Sequence, residues 1–219
     1  VMVLNEITET NNQQDTVRYR DAMGPFARRF KRVMDVAVAL GGMLLFSPLY
    51  VLVYFAIKIE RTGPALFRQE RIGYKGKPFT LYKFRSMHVR AEADGTPQLY
   101  IQRDKRLTRV GRFLREHHLD ELPQLWNILK GDMSFVGPRP ERKYFIDKIM
   151  LENPDYVYLY QLRPGVFSKA TLYNGYTDTM EKMLERLRMD LEYLTTRTIA
   201  MDVKIIFLTV MSIIIGKKF

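Results

Sequence analysis

The longest apolar segment of the chain runs from Val36 to Ile57 and contains no charged residue over its 22 positions. About 20 apolar residues suffice for a helix to cross a bilayer, so this segment predicts a membrane helix. Pro48 stands near its middle, where proline removes a helix hydrogen bond and bends the helix, and the adjacent Ser47 can satisfy the freed carbonyl. A straight spanning helix and a bent helix that returns to the same leaflet are both compatible with this pattern.

Basic residues flank the apolar segment on both sides, and they favour the bent form. The positive-inside preference places each basic flank on the cytoplasmic face, which a straight helix cannot do for both ends. We therefore expect a re-entrant helix over residues 28–60 with its break at Ser47 and Pro48. The flanking residues are Arg28, Arg29, Lys31 and Arg32 before the segment, and Lys58 and Arg61 after it.

The rest of the chain alternates between strand and helix periodicities. Alternating side chains predict strands at Ala65–Arg71 and Pro78–Phe84 around a turn from Gly73 to Gly76. Helical spacing then predicts a helix from about Thr108, a second from about Glu121 to Lys130 that ends at Gly131, and others near Glu141–Glu152 and Asp178–Thr196. The predicted fold class is α+β and helix-rich: a re-entrant membrane helix hairpin, a small domain with a short β-hairpin, and interfacial amphipathic helices.

The last apolar stretch, Ile205–Ile215, is too short to span a bilayer and is followed by Lys217 and Lys218. An interfacial helix and a buried C-terminal helix both fit this pattern. At the other end, residues 1–27 are polar and aperiodic, and we expect a loose leader there.

Composition narrows the chemistry of the predicted site. Thirty-five Lys and Arg against 24 Asp and Glu give a net charge of +11, which favours nucleic acid, anionic lipid or phosphorylated substrates. No cysteine is present and only three histidines are, so thiolate metal sites and cysteine nucleophiles are excluded. Any metal is expected to be a hard cation with oxygen ligands.

Two adjacent carboxylates, Asp120 and Glu121, stand where the second of the two helices after Thr108 is predicted to begin. Asp is favoured at an N-cap and Glu in the first turn, so an ordinary capped helix accounts for the pair. The same position holds a carboxylate ionised and exposed where helix amides attract anions, which suits a nucleophile that meets a diphosphate. Capping and catalysis are compatible, and both interpretations stay open.

Cations that could hold phosphate stand on both sides of this pair. Lys83, Arg85 and Ser86 end the second strand, where they either meet phosphates or cover a sheet edge. Arg139 is fixed between two prolines in a predicted rigid turn from Gly131 to Pro140, which lowers the entropy cost of gripping a phosphate. A further run has members at helical spacing, either as phosphate ligands or as a solvated face: Arg103, Lys105, Arg106, Arg109, Arg112 and Arg115.

Four motifs in this order closely resemble the monotopic phosphoglycosyl transferases, the bacterial sugar transferase family. They are Ser47-Pro48 in the uncharged segment, Lys83-Phe84-Arg85-Ser86-Met87, Leu119-Asp120-Glu121-Leu122-Pro123-Gln124-Leu125, and Gly137-Pro138-Arg139-Pro140. The resemblance runs from about Phe30 to the C-terminus and is to the minimal catalytic form. After Arg163-Pro164-Gly165 the chain continues with Val166-Phe167-Ser168-Lys169-Ala170-Thr171, a departure from the family pattern that leaves the sugar open.

The resemblance implies a two-step transfer of a sugar 1-phosphate. Asp120 would attack the β-phosphate of a UDP-sugar, release UMP and carry the phosphosugar until polyprenyl (undecaprenyl) phosphate accepts it. It also implies Mg²⁺ contacted by Asp120, with Glu121 orienting the site or assisting proton movement. The expected phosphate-binding residues are Lys83, Arg85, Ser86, Arg115 and Arg139.

The expected organisation follows from this resemblance. Residues 1–27 form a leader, 28–60 the re-entrant helix, 61–200 a cytoplasmic catalytic domain, and 201–219 an interfacial or packed helix. The expected location is the bacterial inner membrane, with the catalytic domain on the cytoplasmic face and the lipid bilayer as a partner. The oligomeric state is left open.

Two rival functions come from other classes. A basic nucleic-acid-binding protein suits the net charge but leaves the 22-residue uncharged segment unexplained, so no nucleic-acid partner is expected. A membrane-associated scaffold without catalysis is the second rival, and the intact Asp120-Glu121 pair argues against it.

Overall fold

The computed structural model describes residues 18–60, 63–89, 91, 104–175 and 177–215. Within these ranges the chain is α+β and helix-rich, as predicted. The elements in chain order are α1 (Pro25–Leu45), α2 (Ser47–Glu60), β1 (Leu66–Ile72), β2 (Pro78–Phe84), α3 (Arg109–Glu116), α4 (Gln124–Lys130), β3 (Ser134–Val136), α5 (Lys143–Glu152), β4 (Gly165–Phe167), α6 (Lys169–Asn174), α7 (Met180–Thr196) and α8 (Ile199–Ile214). Short 3₁₀ turns lie at Tyr74–Gly76, Leu119–Glu121 and Pro154–Gln161.

Helices α1 and α2 are bent by 61° where they meet. Pro48 has no N–H, so the carbonyl of Leu44 loses its helical partner, and Ser47 Oγ donates to that carbonyl at 2.8 Å. This compensation was predicted from the Ser-Pro pair, although the break itself lies at Phe46, one residue earlier. In the described part of the chain no single helix is long and apolar enough to cross a membrane, whereas this bent pair passes that test jointly.

The outer surface of the bent pair is apolar and exposed. Leu44 is 77% exposed and Ile59 84%. Contiguous apolar surface of this kind marks an interaction site on a soluble protein or contact with a membrane. Other exposed apolar residues of the pair are Val33, Val38, Leu45, Val51, Leu52 and Phe55.

The predicted β-hairpin is confirmed to within one residue at each end. Strands β1 and β2 are antiparallel, with Leu66 opposite Phe84 and Ile72 opposite Pro78. The turn between them contains the 3₁₀ segment Tyr74–Gly76. The chain at the end of the hairpin is buried at Phe84, Arg85 and Ser86.

A second, parallel pair of strands was not predicted. Ser134 pairs with Gly165 and Val136 with Phe167, so the expected rigid turn from Gly131 to Pro140 contains a strand. The two backbone segments approach so closely that a Cβ at Gly137 would lie 2.3 Å from the carbonyl oxygen of Arg163. This contact fixes the start of the Pro138-Arg139-Pro140 turn.

Three buried clusters form the core, and two of them attach the bent helix pair to the rest of the chain. The largest lies among α5, α7, α8 and the Pro154–Gln161 turn. A second joins α1 to β2 and α4, and a third joins α2 to β2 and α3. The members of these two smaller clusters are Ala39, Leu81, Leu125, Ile128 and Met133, and Val53, Ile57, Ala65, Phe84 and Leu114.

The described end of the predicted leader is packed, which corrects the expectation of a loose segment for residues 18–27. Met23 is buried, and Arg197 holds both carboxylate oxygens of Asp21 at 2.7 Å. The amide of Ala22 donates to the carbonyl of Leu194. A polar composition concealed this because the partners come from α7 and the residue after it. Residues 1–17 lie outside the described ranges.

Helix α8 combines the two alternatives left open for the C-terminal stretch. One face packs inward through Asp202, Ile205 and Thr209. The opposite face is apolar and exposed at Val203, Phe207, Val210 and Met211. Lys217 and Lys218 lie outside the described residues.

Candidate active site

A cleft of about 720 Å³ gathers the residues predicted to carry chemistry. The bent helix pair, the hairpin, α3 and the Leu119–Glu121 turn all contribute to its walls. Seven predicted residues from four separate segments of the chain therefore line one cavity: Lys83, Arg85, Ser86, Arg115, Asp120, Glu121 and Arg139.

Asp120 does not cap a helix, contrary to the sequence prediction. It lies inside the 3₁₀ turn Leu119–Glu121, and α4 begins only at Gln124 with Pro123 as its N-cap. His118 precedes the turn with φ 55°, a left-handed conformation that turns the chain sharply after α3. This turn breaks the helical ladder ahead of Asp120, so the helix starts later than the spacing suggested.

Asp120 is also buried, with 3% of its surface exposed, whereas the sequence predicted an exposed carboxylate. Burial raises the pKa of Asp120, and the neighbouring charge of Glu121 adds to that effect. Lys83 and Arg115 act in the opposite direction without cancelling it. A cation that bound there would favour the ionised form of this carboxylate.

Glu121 is bound directly by cations of the protein. Lys83 Nζ lies 2.5 Å from Glu121 Oε1, and an Arg139 guanidinium nitrogen lies 4.0 Å from the same oxygen. Burial by itself would raise the pKa of Glu121, but Lys83 and Arg139 lower it to about 2. The two adjacent carboxylates therefore have pKa values shifted in opposite directions, a separation typical of sites that divide chemical roles.

Arg85 and Ser86 are fixed by the approach of α3. The Thr108 amide donates to the Ser86 carbonyl at 3.1 Å, and a Cβ at Gly111 would lie 1.9 Å from that oxygen. Only glycine permits this approach. The Arg85 side chain is buried, with 6% exposed.

The predicted basic run divides into two parts. Arg109, Arg112 and Arg115 share helix α3, and only Arg115 of these lines the cleft. Arg106 precedes the helix and binds both carboxylate oxygens of Asp104, so it is not part of the expected helical face. Arg103 lies outside the described residues.

A buried charge cluster beside Arg139 was missed by sequence reasoning. Glu141 lies 2.9 Å from Arg186 and 3.6 Å from Arg71, and all three line the cleft. Burial would raise the pKa of Glu141, but Arg186 and Arg71 lower it overall. The sequence did contain one indication of this cluster. Arg186 and Asp190 occupy the otherwise apolar stripe of α7, where a charged side chain needs a partner.

The cleft continues from these charges into an apolar region. Val38, Gly42 and Phe46 of the bent helix pair line it there, and so do Thr209 and Ile213 of α8. One cavity therefore presents cations and carboxylates in one part and side chains of the bent helix pair and of α8 in another. Ser47 and Pro48 shape the bend but are not among the lining residues.

The described residues contain no group of three or more Asp, Glu, His or Cys side chains placed to hold a metal ion. A protein-only cage for a metal is therefore absent from the described ranges. Asp120 could supply one oxygen ligand to a hard cation, whose other ligands would have to come from outside the protein, as water or phosphate oxygens.

The family can be decided by comparison with known proteins. The model of the bacterial sugar transferase family matches residues 26–216. This chain belongs to the bacterial sugar transferase family. The match confirms the resemblance found in its motifs.

Three curated relatives of this family are named as sugar phosphotransferases. A UDP-glucose:undecaprenyl-phosphate glucose-1-phosphate transferase of Caulobacter vibrioides is 46% identical over 84% of this chain and 69% of its own length. A UDP-N-acetylgalactosamine-undecaprenyl-phosphate N-acetylgalactosaminephosphotransferase of Aeromonas hydrophila is 39% identical over 88% of this chain and 45% of its own length. An Escherichia coli protein with the same name as the Caulobacter one is 38% identical over 97% of this chain and 46% of its own length. The chain thus spans less than half of two of these relatives.

Proposed function

We propose that this chain transfers a sugar 1-phosphate from a UDP-sugar to polyprenyl phosphate, of which undecaprenyl phosphate is the expected form. The observation that carries the proposal is the single cleft that joins the Asp120-Glu121 pair and its cations to the apolar surface of the bent helix pair. A diphosphate substrate suits the charged end, and a lipid acceptor suits the apolar end. The names of the three relatives support the same two substrates.

Asp120 is the nucleophile in this proposal. A carboxylate oxygen attacks the β-phosphorus of the UDP-sugar, the bond from that phosphorus to the bridging oxygen breaks, and UMP leaves. An oxygen of polyprenyl phosphate then attacks the same phosphorus, which releases the Asp120 carboxylate and forms a polyprenyl-diphosphate sugar. Lys83, Arg115 and Arg139 neutralise phosphate charge during both displacements.

Glu121 has a positioning role in this scheme, because its ion pair with Lys83 fixes that cation beside Asp120. Arg85 and Ser86 lie on the same wall and complete the phosphate-binding set. The Arg85 guanidinium is deeply placed, so it meets only a phosphate that enters the cleft fully.

Mg²⁺ is the cofactor we propose, held by Asp120 together with substrate phosphate oxygens. It would supply charge neutralisation at the reacting phosphate. Excess chelator should abolish UMP release and added Mg²⁺ should restore it. Full activity in excess chelator, with metal below one equivalent per chain, would contradict the cofactor.

The membrane location is part of the proposal as well. Residues 28–60 would enter and leave one leaflet of the bacterial inner membrane, with the charged end of the cleft on the cytoplasmic side where nucleotide sugars are made. The exposed apolar faces of the bent pair and of α8 support this placement.

The test is UMP release by the purified full chain with undecaprenyl phosphate, Mg²⁺ and a panel of UDP-sugars. The panel should include UDP-glucose and UDP-N-acetylgalactosamine, because relatives are named for both and Val166, Phe167 and Ser168 line the cleft. We expect UMP and a lipid-linked phosphosugar with at least one donor. Failure with every donor, or release of UDP in place of UMP, would contradict the function.

A further inference from the structure

Residues 109–130, which carry the acidic pair, are hydrogen-bonded to the bent helix pair at three places within the described structure. At its start, the Glu60 carboxylate accepts the amides of Arg109 and Val110 at 2.6 and 3.1 Å. At its end, Arg32 donates to the carbonyls of Ile128 and Leu129 at 2.6 and 3.0 Å. The Glu60 contacts pair amides at the start of α3, where a helix leaves its first amides without internal partners, and the Arg32 contacts add a donor to the last carbonyls of α4.

The third attachment lies beside the acidic pair itself. The Tyr50 hydroxyl in α2 donates to the carbonyl of Leu122 at 2.5 Å, one residue after Glu121. The Tyr50 ring also packs edge-on against Phe84, with ring centroids 5.5 Å apart, and Phe84 directly follows Lys83. Tyr50 therefore contacts Leu122 and Phe84, the residues that directly follow Glu121 and Lys83 in the sequence.

We infer that Tyr50 is a positioning residue, which sets the Asp120-Glu121 turn against Lys83 through the Leu122 carbonyl and the Phe84 ring. Tyr50 does not line the cleft, so it acts through these neighbours and does not touch substrate. The inference rests on the proposed function, because the geometry it sets is that of the proposed nucleophile and its cation. A displacement on the order of 1 Å at such a site can cost about 100-fold in rate.

Removing the hydroxyl alone is expected to leave the fold intact. The Leu122 carbonyl also accepts the amide of Leu125 at 3.1 Å, so Tyr50→Phe leaves that carbonyl paired. The Phe ring preserves the packing on Phe84. The variant therefore isolates the positioning contact from the surrounding core.

The experiment compares Tyr50→Phe with Tyr54→Phe in the purified full chain. Tyr54 lies one turn later in α2 and is 44% exposed, which makes it a matched control. We expect Tyr50→Phe to lower kcat about 10-fold or more, with KM for the UDP-sugar within about twofold and Tm within a few degrees. Tyr54→Phe should behave as wild type.

Hydrogen exchange supplies a readout that does not depend on turnover. Tyr50→Phe should speed exchange of amides in residues 118–126 while α7 stays unchanged. Unchanged exchange there, an unchanged kcat, or a uniform loss of protection with a large fall in Tm would each overturn the positioning role. Absence of UMP release from wild type would instead refute the proposed function, and the exchange result would still decide whether Tyr50 holds the turn.

Discussion

Lys83 Nζ lies 2.5 Å from Glu121 Oε1 and thereby joins the end of the hairpin to the turn that carries Asp120. The pair is mostly buried, with 17% and 15% of the two side chains exposed. A partly buried pair of this kind is strongly disturbed when one partner is removed, because the other charge stays in the low-dielectric site.

Lys83→Met should therefore lower UMP release about 100-fold or more, since it removes a phosphate-neutralising cation and frees Glu121 to move. Lys77→Met, just before the same strand on the exposed surface, is the control and should retain full activity. Activity of Lys83→Met within threefold of wild type would exclude the role given to this cation.

Gly111→Ala tests the close approach of α3 to Ser86. The new Cβ would lie 1.9 Å from the Ser86 carbonyl oxygen, so backbone must shift, at a cost of about 1–3 kcal/mol. A Tm lower by about 5 °C is expected from thermal unfolding. Gly41→Ala is the matched control, because no atom of the described residues beyond its own helix backbone lies within 4 Å of its Cβ, and alanine favours the helix. Equal melting of the two variants would contradict the contact.

Asp190 gives a prediction about pH and stability. Burial raises its pKa to about 7, which Arg186 only partly offsets, and one carboxylate oxygen has no hydrogen-bond partner among the described residues. The folded state therefore holds a proton that the unfolded chain, with a pKa of 3.8, releases. Its stabilising contribution is complete below about pH 4 and is lost as the pH rises to about 7, at up to about 1.4 kcal/mol per pH unit.

Asp190→Asn imitates the neutral acid and should abolish this pH-dependent contribution to the free energy of unfolding. The Tm of the variant should rise relative to wild type between about pH 4 and 7 and then keep a constant difference at higher pH. Asp178→Asn, an exposed carboxylate just before the same helix, should show no such divergence. Parallel pH profiles of wild type and Asp190→Asn would disprove the raised pKa.

The sequence was most informative where structure is local. Ser47, Pro48 and Leu44 lie within one helical turn, so the bend and its compensating hydrogen bond could be predicted from the residues alone. The hairpin was equally accessible, because its strands are adjacent in the chain and alternate regularly.

Non-local contacts explain what the sequence did not reveal. Strands β3 and β4 are three residues each and separated by a helix, too short for a periodic signal. The Tyr50 contact with Leu122 spans 72 residues and Glu60 with Arg109 spans 49, so no local pattern points to them. The prediction of a helix N-cap at Asp120 was wrong for a local reason. His118 adopts a left-handed backbone, which its residue type and its neighbours in the sequence do not indicate.

The flanking charges also have partners that the sequence did not indicate. Lys31 lies 2.7 Å from Asp202, and Arg32 caps α4. Arg28 also lies 3.3 Å from Asp21, so three of the four basic residues before the apolar segment have partners within the fold. Membrane orientation consequently needs its own measurement.

Single cysteines at Thr16 and Thr62 can report that orientation, because the chain contains no other cysteine. In intact cells an impermeant thiol reagent should label neither site if both ends of residues 28–60 are cytoplasmic. Pro48→Ala should straighten the helix pair and expose Thr16→Cys in part of the population. External labelling of Thr16→Cys with Pro48 intact would contradict the re-entrant arrangement.

The most direct test of the whole account is the identity of the residue that carries phosphosugar. The full chain would be incubated with a productive UDP-sugar and Mg²⁺ without polyprenyl phosphate, quenched rapidly, digested and analysed by mass spectrometry. Asp147→Asn, an exposed carboxylate of α5, is the control that should still form the adduct. We predict one phosphosugar on the peptide that contains Asp120, released as lipid product when polyprenyl phosphate is added, and none in Asp120→Asn. UMP release without this adduct, or an adduct on another residue, would contradict the assignment of Asp120 as the nucleophile.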